Sequence, residues 1–181
     1  MTLPSVLSAI DLPAAELYAA RLDGELFPVG GAFLAVDEIE QPRHRVTAAL
    51  AGLQDRLIAE RLSAAWVWGA LPAAPARHQF CVGIGSRVAH SPVRWMTVRE
   101  VVIEADEITD LEGGLVTSPL RTVIDLVRFG DRFGDAEAGI VRRLVAVGGA
   151  TLDDAALAIE GRRNLPGKRL ALARLRQCGL P

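Results

Sequence analysis

Apolar positions in this chain recur at helical spacing in some stretches and alternate or cluster like strands in others, and the run from Leu115 to Arg128 shows the helical pattern most clearly. Ser118 can cap a helix through its hydroxyl, and Pro119 fits the first helical position, where its missing N–H is not needed. Leu120, Val123, Ile124 and Val127 then fall at i, i+3, i+4 and i+7, a single stripe that predicts a helix seated on a core. Arg121 and Asp125, four apart, are expected to pair across its exposed side.

The N-terminal pattern predicts a short helix over Leu3 to Ile10, a second helix capped by Asp11 and reaching about Leu22, and a break at Asp23-Gly24. Leu26 to Val29 and Ala32 to Val36 flank Gly30-Gly31, the mark of a tight hairpin. Helix, helix and hairpin make the order of a winged helix, shortened by one helix. From Pro42, the positions of Val46, Leu50, Leu53, Leu57 and Ile58 continue at helical spacing, and a further short helix, Ser63 to Trp68, ends at Gly69. Trp66 and Trp68, two apart, cannot share a helical face; structural packing is the favoured reading for both, with an interface position for one of them the alternative.

Strand character follows in Gln79 to Ile84, Val93 to Met96 and Glu100 to Glu104, three short runs that predict a small antiparallel sheet. Asp135 is expected to cap a helix over Ala136 to Val147, stopped by Gly148-Gly149. Thr151 with Asp154 reads as a weak capping box for Leu152 to Glu160. Pro166 to Gln177 reads as a basic amphipathic helix with Leu172 and Leu175 inward and Lys168, Arg169, Arg174 and Arg176 in water. The predicted class is α+β: a degenerate winged-helix unit at 1–40, a mixed domain with a small sheet and several C-terminal helices at 41–160, and a basic helix at 161–181.

Half of the 181 residues are apolar, enough to bury a core, yet no apolar run reaches membrane-spanning length. The first ten residues lack the basic region of a secretion signal, so a cytoplasmic location is the expectation. Cys81 and Cys178 lie far apart and outside any metal-ligand spacing, and read as reduced thiols. The net charge of −2 gives no global push toward nucleic acid. Its distribution says more: residues 1–40 carry seven acids against Arg21, residues 41–100 carry eight arginines against three acids, and the stretch from Gly161 onward carries six basic residues and no acid. A polyanion would therefore meet the middle or the tail. The second helix, with Glu16, Tyr18 and Arg21 as its polar content, is poorly equipped to read base edges.

Candidate chemistry is sparse. His44, His78 and His90 lack ligand spacing and read as exposed or hydrogen-bonded structural residues. Glu104, Asp106, Glu107, Asp110 and Glu112 run into Gly113-Gly114 and read as a solvated loop, with divalent-ion binding the weaker alternative. Gly83-Ile84-Gly85-Ser86-Arg87 lacks the lysine and spacing of a phosphate loop and reads as a strand end with a turn. No metal and no cofactor are expected.

Two runs resemble the AbiEi-type antitoxin family of actinobacteria: Ser63-Ala64-Ala65-Trp66-Val67-Trp68-Gly69-Ala70-Leu71, and Val116-Thr117-Ser118-Pro119-Leu120-Arg121-Thr122-Val123-Ile124-Asp125-Leu126. The motif positions are Ser63, Ala64, Ala65, Trp66, Gly69, Thr117, Ser118, Pro119, Arg121, Thr122 and Asp125, and the resemblance extends over roughly residues 10 to 176. It implies a non-enzymatic antitoxin-like transcriptional regulator with two possible jobs, repression at a DNA operator and neutralisation of a nucleotidyltransferase-type toxin. Some proteins resembling it continue into a very-short-patch-repair-like endonuclease domain, which would begin where this sequence stops and is expected to be absent. Phosphate contact would fall to Arg43, Arg45, Arg56, Arg61, Arg162, Arg163, Lys168 and Arg169. The alternative reading is a protein-interaction module that has lost DNA binding, its acidic N-terminal unit meeting a basic partner.

Overall fold

A computed structural model describes residues 4–53, 56–85, 94–130 and 132–179. The fold is α+β, with two sheets and, among the described residues, seven α-helices. The N-terminal unit comprises β1 (Val6–Leu7), α1 (Ala14–Leu22), β2 (Leu26–Val29) and β3 (Ala32–Ala35). Its three strands are antiparallel in the order β1-β3-β2, with Val6 opposite Leu34 and Phe27 opposite Leu34 on the other side. The unit therefore holds one helix, α1, where the helix-helix-hairpin reading expected two.

The hairpin forms where Gly30-Gly31 predicts it. Gly30 has φ +59°, and a Cβ there would lie 2.9 Å from Cη2 of Trp66, so both the turn and the close approach require glycine. The expected helix over Leu3 to Ile10 is not present; Val6 and Leu7 are strand, because pairing with β3 satisfies a backbone too short to make a stable helix alone. Asp11 does not cap α1. Its carboxylate instead accepts from the backbone N–H and hydroxyl of Ser8, at 2.8 and 2.9 Å, and Pro13 stands at the cap.

Helix α2 (Pro42–Leu50) ends earlier than its apolar spacing suggests, since Gly52 turns the chain at φ +76°. Ile58–Ala59 is then strand β4, followed by α3 (Arg61–Val67), and Leu57 is buried ahead of that strand. The second sheet continues with β5 (His78–Gly83), β6 (Met96–Val101), β7 (Ile108–Asp110) and β8 (Leu115–Thr117), in the order β6-β5-β4-β8-β7. It is mixed, not antiparallel: β5 and β6 run parallel, as do β4 and β8. One strand, β6, stands where two were expected, and Val93 lies outside the described residues.

The remaining helices are α4 (Pro119–Phe129), α5 (Asp135–Val147), α6 (Leu152–Gly161) and α7 (Lys168–Cys178). Ser118 caps α4 by accepting from the Arg121 N–H at 3.4 Å. Gly134, one residue before the predicted Asp135, holds the cap position of α5. Thr151 and Asp154 form a full reciprocal box on α6. In α7, Arg174 is not in water: it is buried and donates to the carbonyls of Val127 and Gly130 at 3.0 and 2.7 Å, stitching α7 to the end of α4.

Two main cores result. One joins Val6, Val29 and Leu34 to Val46, Trp66, Phe80 and Val116, so it crosses residue 40. The other gathers Ala65, Val123, Ile124, Val141, Leu144, Ile159, Ala171 and Leu175, so it crosses residue 160. Helix α3 lies between them, with Ala64 in the first and Ala65 in the second.

Candidate functional site

The two motif runs, far apart in the chain, meet in space. Trp68 Nε1 donates to the Thr117 carbonyl at 2.9 Å, tying the end of α3 to β8, while Trp66 is buried in the first core. Both tryptophans pack inside the protein, as the packing reading expects, with Trp68 against both cores. Thr117 and Thr122 hydroxyls lie 2.7 Å apart, fixing β8 to the first turn of α4. Ser63, fully buried, accepts from the Gln79 N–H at 2.8 Å and meets His78 Nδ1 at 3.1 Å. That pair resembles a nucleophile and its base, but a hydroxyl sealed in the core has no route to a substrate.

From this anchoring, one continuous ionic network grows behind β4 and α4. Arg121 and Asp125 do pair, at 2.9 Å, but inside the protein: both are buried, Arg121 to 5% and Asp125 to 1% exposure. A second acid, Glu107, also holds Arg121 and reaches Arg162. Glu107 is therefore no part of a solvated loop; it ends a 3-10 turn (Ala105–Glu107) whose neighbours Asp106 and Glu104 stay exposed. The third acid, Glu60, has no exposed surface and takes both Nε and Nη2 of Arg99, at 2.6 and 2.5 Å, with Arg61 at 3.3 Å. Asp125 closes the network toward Arg99 at 3.7 Å and Arg128 at 3.5 Å.

Five arginines thus share three carboxylates. Burial opposes ionisation of Glu107, but the Glu104 N–H and the guanidiniums of Arg162 and Arg121 outweigh it and hold the carboxyl below its ordinary range. Arg121 is likewise opposed by burial and held up by Asp125 and Glu107. Arg128 is the exception: burial pushes it down, Asp125 offsets part of that, and Arg121, Arg162 and Arg99 push it further down. Phe129 sits under the arginines, 4.5 Å from Arg99 and Arg128 and 5.3 Å from Arg61. On one side of its ring opens a cleft of about 590 Å³ lined by Arg99, Arg121, Arg128, Arg162 and Asn164 among others. Arg61, the first residue of α3, takes φ +47°, a left-handed conformation costly for arginine, at the edge of this network.

The eight arginine and lysine positions expected to contact phosphate divide. Arg45 pairs with Glu40 at 2.5 Å and donates to the Trp66 carbonyl, Arg61 pairs with Glu60, Arg162 with Glu107, and Lys168 donates to the carbonyls of Glu160 and Arg162. Arg43, Arg56, Arg163 and Arg169 are exposed. The partners that occupy the first group, Glu60 and Glu107, and the members Arg99, Arg128 and Phe129, carry no motif. A carboxylate inside the apolar run Leu57-Ile58-Ala59-Glu60 is the one signal that points to Glu60.

Among the described residues, no three or more His, Cys, Asp or Glu side chains are placed to hold a metal ion. His44 is buried and accepts the Gln41 N–H on Nδ1; His90, Ser86 and Arg87 lie outside the described residues. Cys81 and Cys178 are buried free thiols, pushed up in pKa by burial. No helix among the described residues is long and apolar enough to cross a membrane.

No protein-family model matches the sequence, and no curated protein matches it. Among solved structures, the fold is similar to that of the RV2827C protein from Mycobacterium tuberculosis, with a TM-score of 0.51 at 17% identity over 97% of this chain and 71% of that one.

Proposed function

We propose that this chain is a non-enzymatic, antitoxin-like protein that acts by contact with a basic protein partner of the nucleotidyltransferase-toxin kind, through its N-terminal unit. The observation that carries this reading is the face of α1. In a winged helix this element would read bases, yet Ala15, Tyr18, Ala19 and Leu22 form an exposed stripe at i, i+3, i+4 and i+7, with Tyr18 54% and Leu22 88% exposed. Arg21 is its one cation, Glu16 lies on the same helix, and Asp23, Glu25, Asp37 and Glu38 of the same N-terminal unit are exposed as well. An apolar stripe on a unit with seven acids and one arginine disfavours phosphate and suits a protein surface rich in lysine or arginine.

Engagement of Arg45, Arg61 and Lys168 within the molecule further weakens the DNA reading, and the pairing of every carboxylate in the ionic network with arginine supports a scaffold role. The test is co-expression with the toxin candidate from a neighbouring reading frame. Tyr18→Glu with Leu22→Glu is expected to abolish both co-purification and growth rescue while the fold persists by circular dichroism. A gel shift on the upstream DNA at micromolar protein and low salt, lost in Arg163→Gln with Arg169→Gln and unaffected by the α1 pair, would instead establish a DNA-binding regulator.

A further inference from the structure

We infer that the cleft beside Phe129 is a binding site for a small phosphomonoester, its dianionic phosphate held by Arg99, Arg128 and Arg162. This site lies on a different part of the chain from α1 and does not rest on the partner reading above. Its first support is charge. The network of five arginines and three carboxylates is continuous through its ion pairs and carries two positive charges in excess of its own carboxylates. Glu100 and Glu104 also line the cleft and lower that excess, but among the described residues neither pairs with an arginine of the network.

Hydrogen-bond capacity is the second support. Glu60 occupies Nε and Nη2 of Arg99, and the Pro166 carbonyl and Asp125 occupy Nε and Nη1 of Arg128, at 3.2 and 3.5 Å. Each guanidinium carries five donors, so both retain an outer amino group, and Arg162 retains donors beyond the one given to Glu107. These groups border the same cleft, and their stems are fixed by carboxylates behind them, so little side-chain order remains to be lost on binding. Arg128 supplies the third: its neighbours Arg121, Arg162 and Arg99 disfavour its charge, a repulsion that an anion between them removes. A cleft of about 590 Å³ holds a phosphate with an attached small organic body, for which the Phe129 ring offers an apolar wall.

The test is calorimetric titration of the full chain with inorganic phosphate, a nucleoside monophosphate and a sugar phosphate, against chloride at matched ionic strength. Phosphomonoester binding is expected at pH 7.5 and is expected to weaken as pH falls through about 6, where the second phosphate charge is lost. Arg162→Gln, at the exposed rim, is expected to weaken it about tenfold or more, as loss of a charge-assisted contact does. Arg43→Gln is expected to change nothing. Asn164→Ala guards against misfolding of the arginine variant and is expected to alter the ranking of the phosphomonoesters. The proposal is overturned if no phosphate species binds above chloride, if binding ignores Arg162→Gln and Asn164→Ala alike, or if only duplex DNA binds in an Arg162-dependent way.

Discussion

Glu60 shows how much one side chain can be asked to hold. It has no contact with water and faces two arginines, so removing it strands Arg99, which is mostly covered, without its counter-charge. Breaking a buried pair from one side costs more than the pair itself contributes, and Glu60→Ala is expected to destabilise by about 3–5 kcal/mol in urea titration. A loss below about 1 kcal/mol would mean that water already reaches this pair. Gly30 makes a different kind of claim. Alanine there must bear φ +59° and a Cβ 2.9 Å from Trp66, so Gly30→Ala is expected to cost about 1–3 kcal/mol, read as a lowered urea midpoint.

At the scale of elements, α4 organises the second half of the chain. Its cap, its proline and its stripe of Val123, Ile124 and Val127 all agree, and the helix occupies Pro119–Phe129 as the spacing predicts. Ser118→Ala is expected to cost about 1 kcal/mol by chemical denaturation, while Ser118→Asp, which keeps an acceptor at the helix start, is expected to cost less. The acid-rich stretch from Glu104 to Glu112 is solvated only in part: Glu104, Asp106, Asp110 and Glu112 are exposed, Glu107 is not. It holds a 3-10 turn and strand β7, and the hairpin into β8 lies against α2 so closely that a Cβ on Gly114 would sit 2.3 Å from Leu50 Cδ1. Acidic composition marked it as solvent-facing, but Gly113-Gly114 are there for close packing as well as for the turn.

For the whole molecule, the charge network and the packed histidine set the response to acid. His78 stands between Trp66 and Phe80 with its pKa lowered from 6.5 by burial, and Glu107 is lowered from 4.5. Both groups take up protons more readily in the unfolded chain, so each contributes stability above its unfolded value that is lost as pH falls toward its folded one. Stability is expected to decline first below about pH 6.5 and more steeply below about 4.5. His78→Gln is expected to flatten the first decline and Glu107→Gln the second, in urea midpoints measured at pH 7, 5.5 and 4. Two unchanged slopes would place the acid response elsewhere.

Local chemistry along the chain determined the α+β class, the hairpin at Gly30-Gly31, the α4 and α6 caps and the apolar stripe of α4, because caps, turns and periodicity depend on residues a few positions apart. Tertiary structure alone decided the direction of β6 against β5 and the pairing of β4 with β8, since an alternating run reads the same whichever way its neighbour lies. It also decided that Arg121 and Asp125 face inward, for a four-residue spacing places two side chains on one side of a helix without saying what covers that side. Glu60, Arg99, Glu107 and Arg162 come from positions up to about a hundred residues apart, and an ion pair drawn from distant positions has no period to betray it.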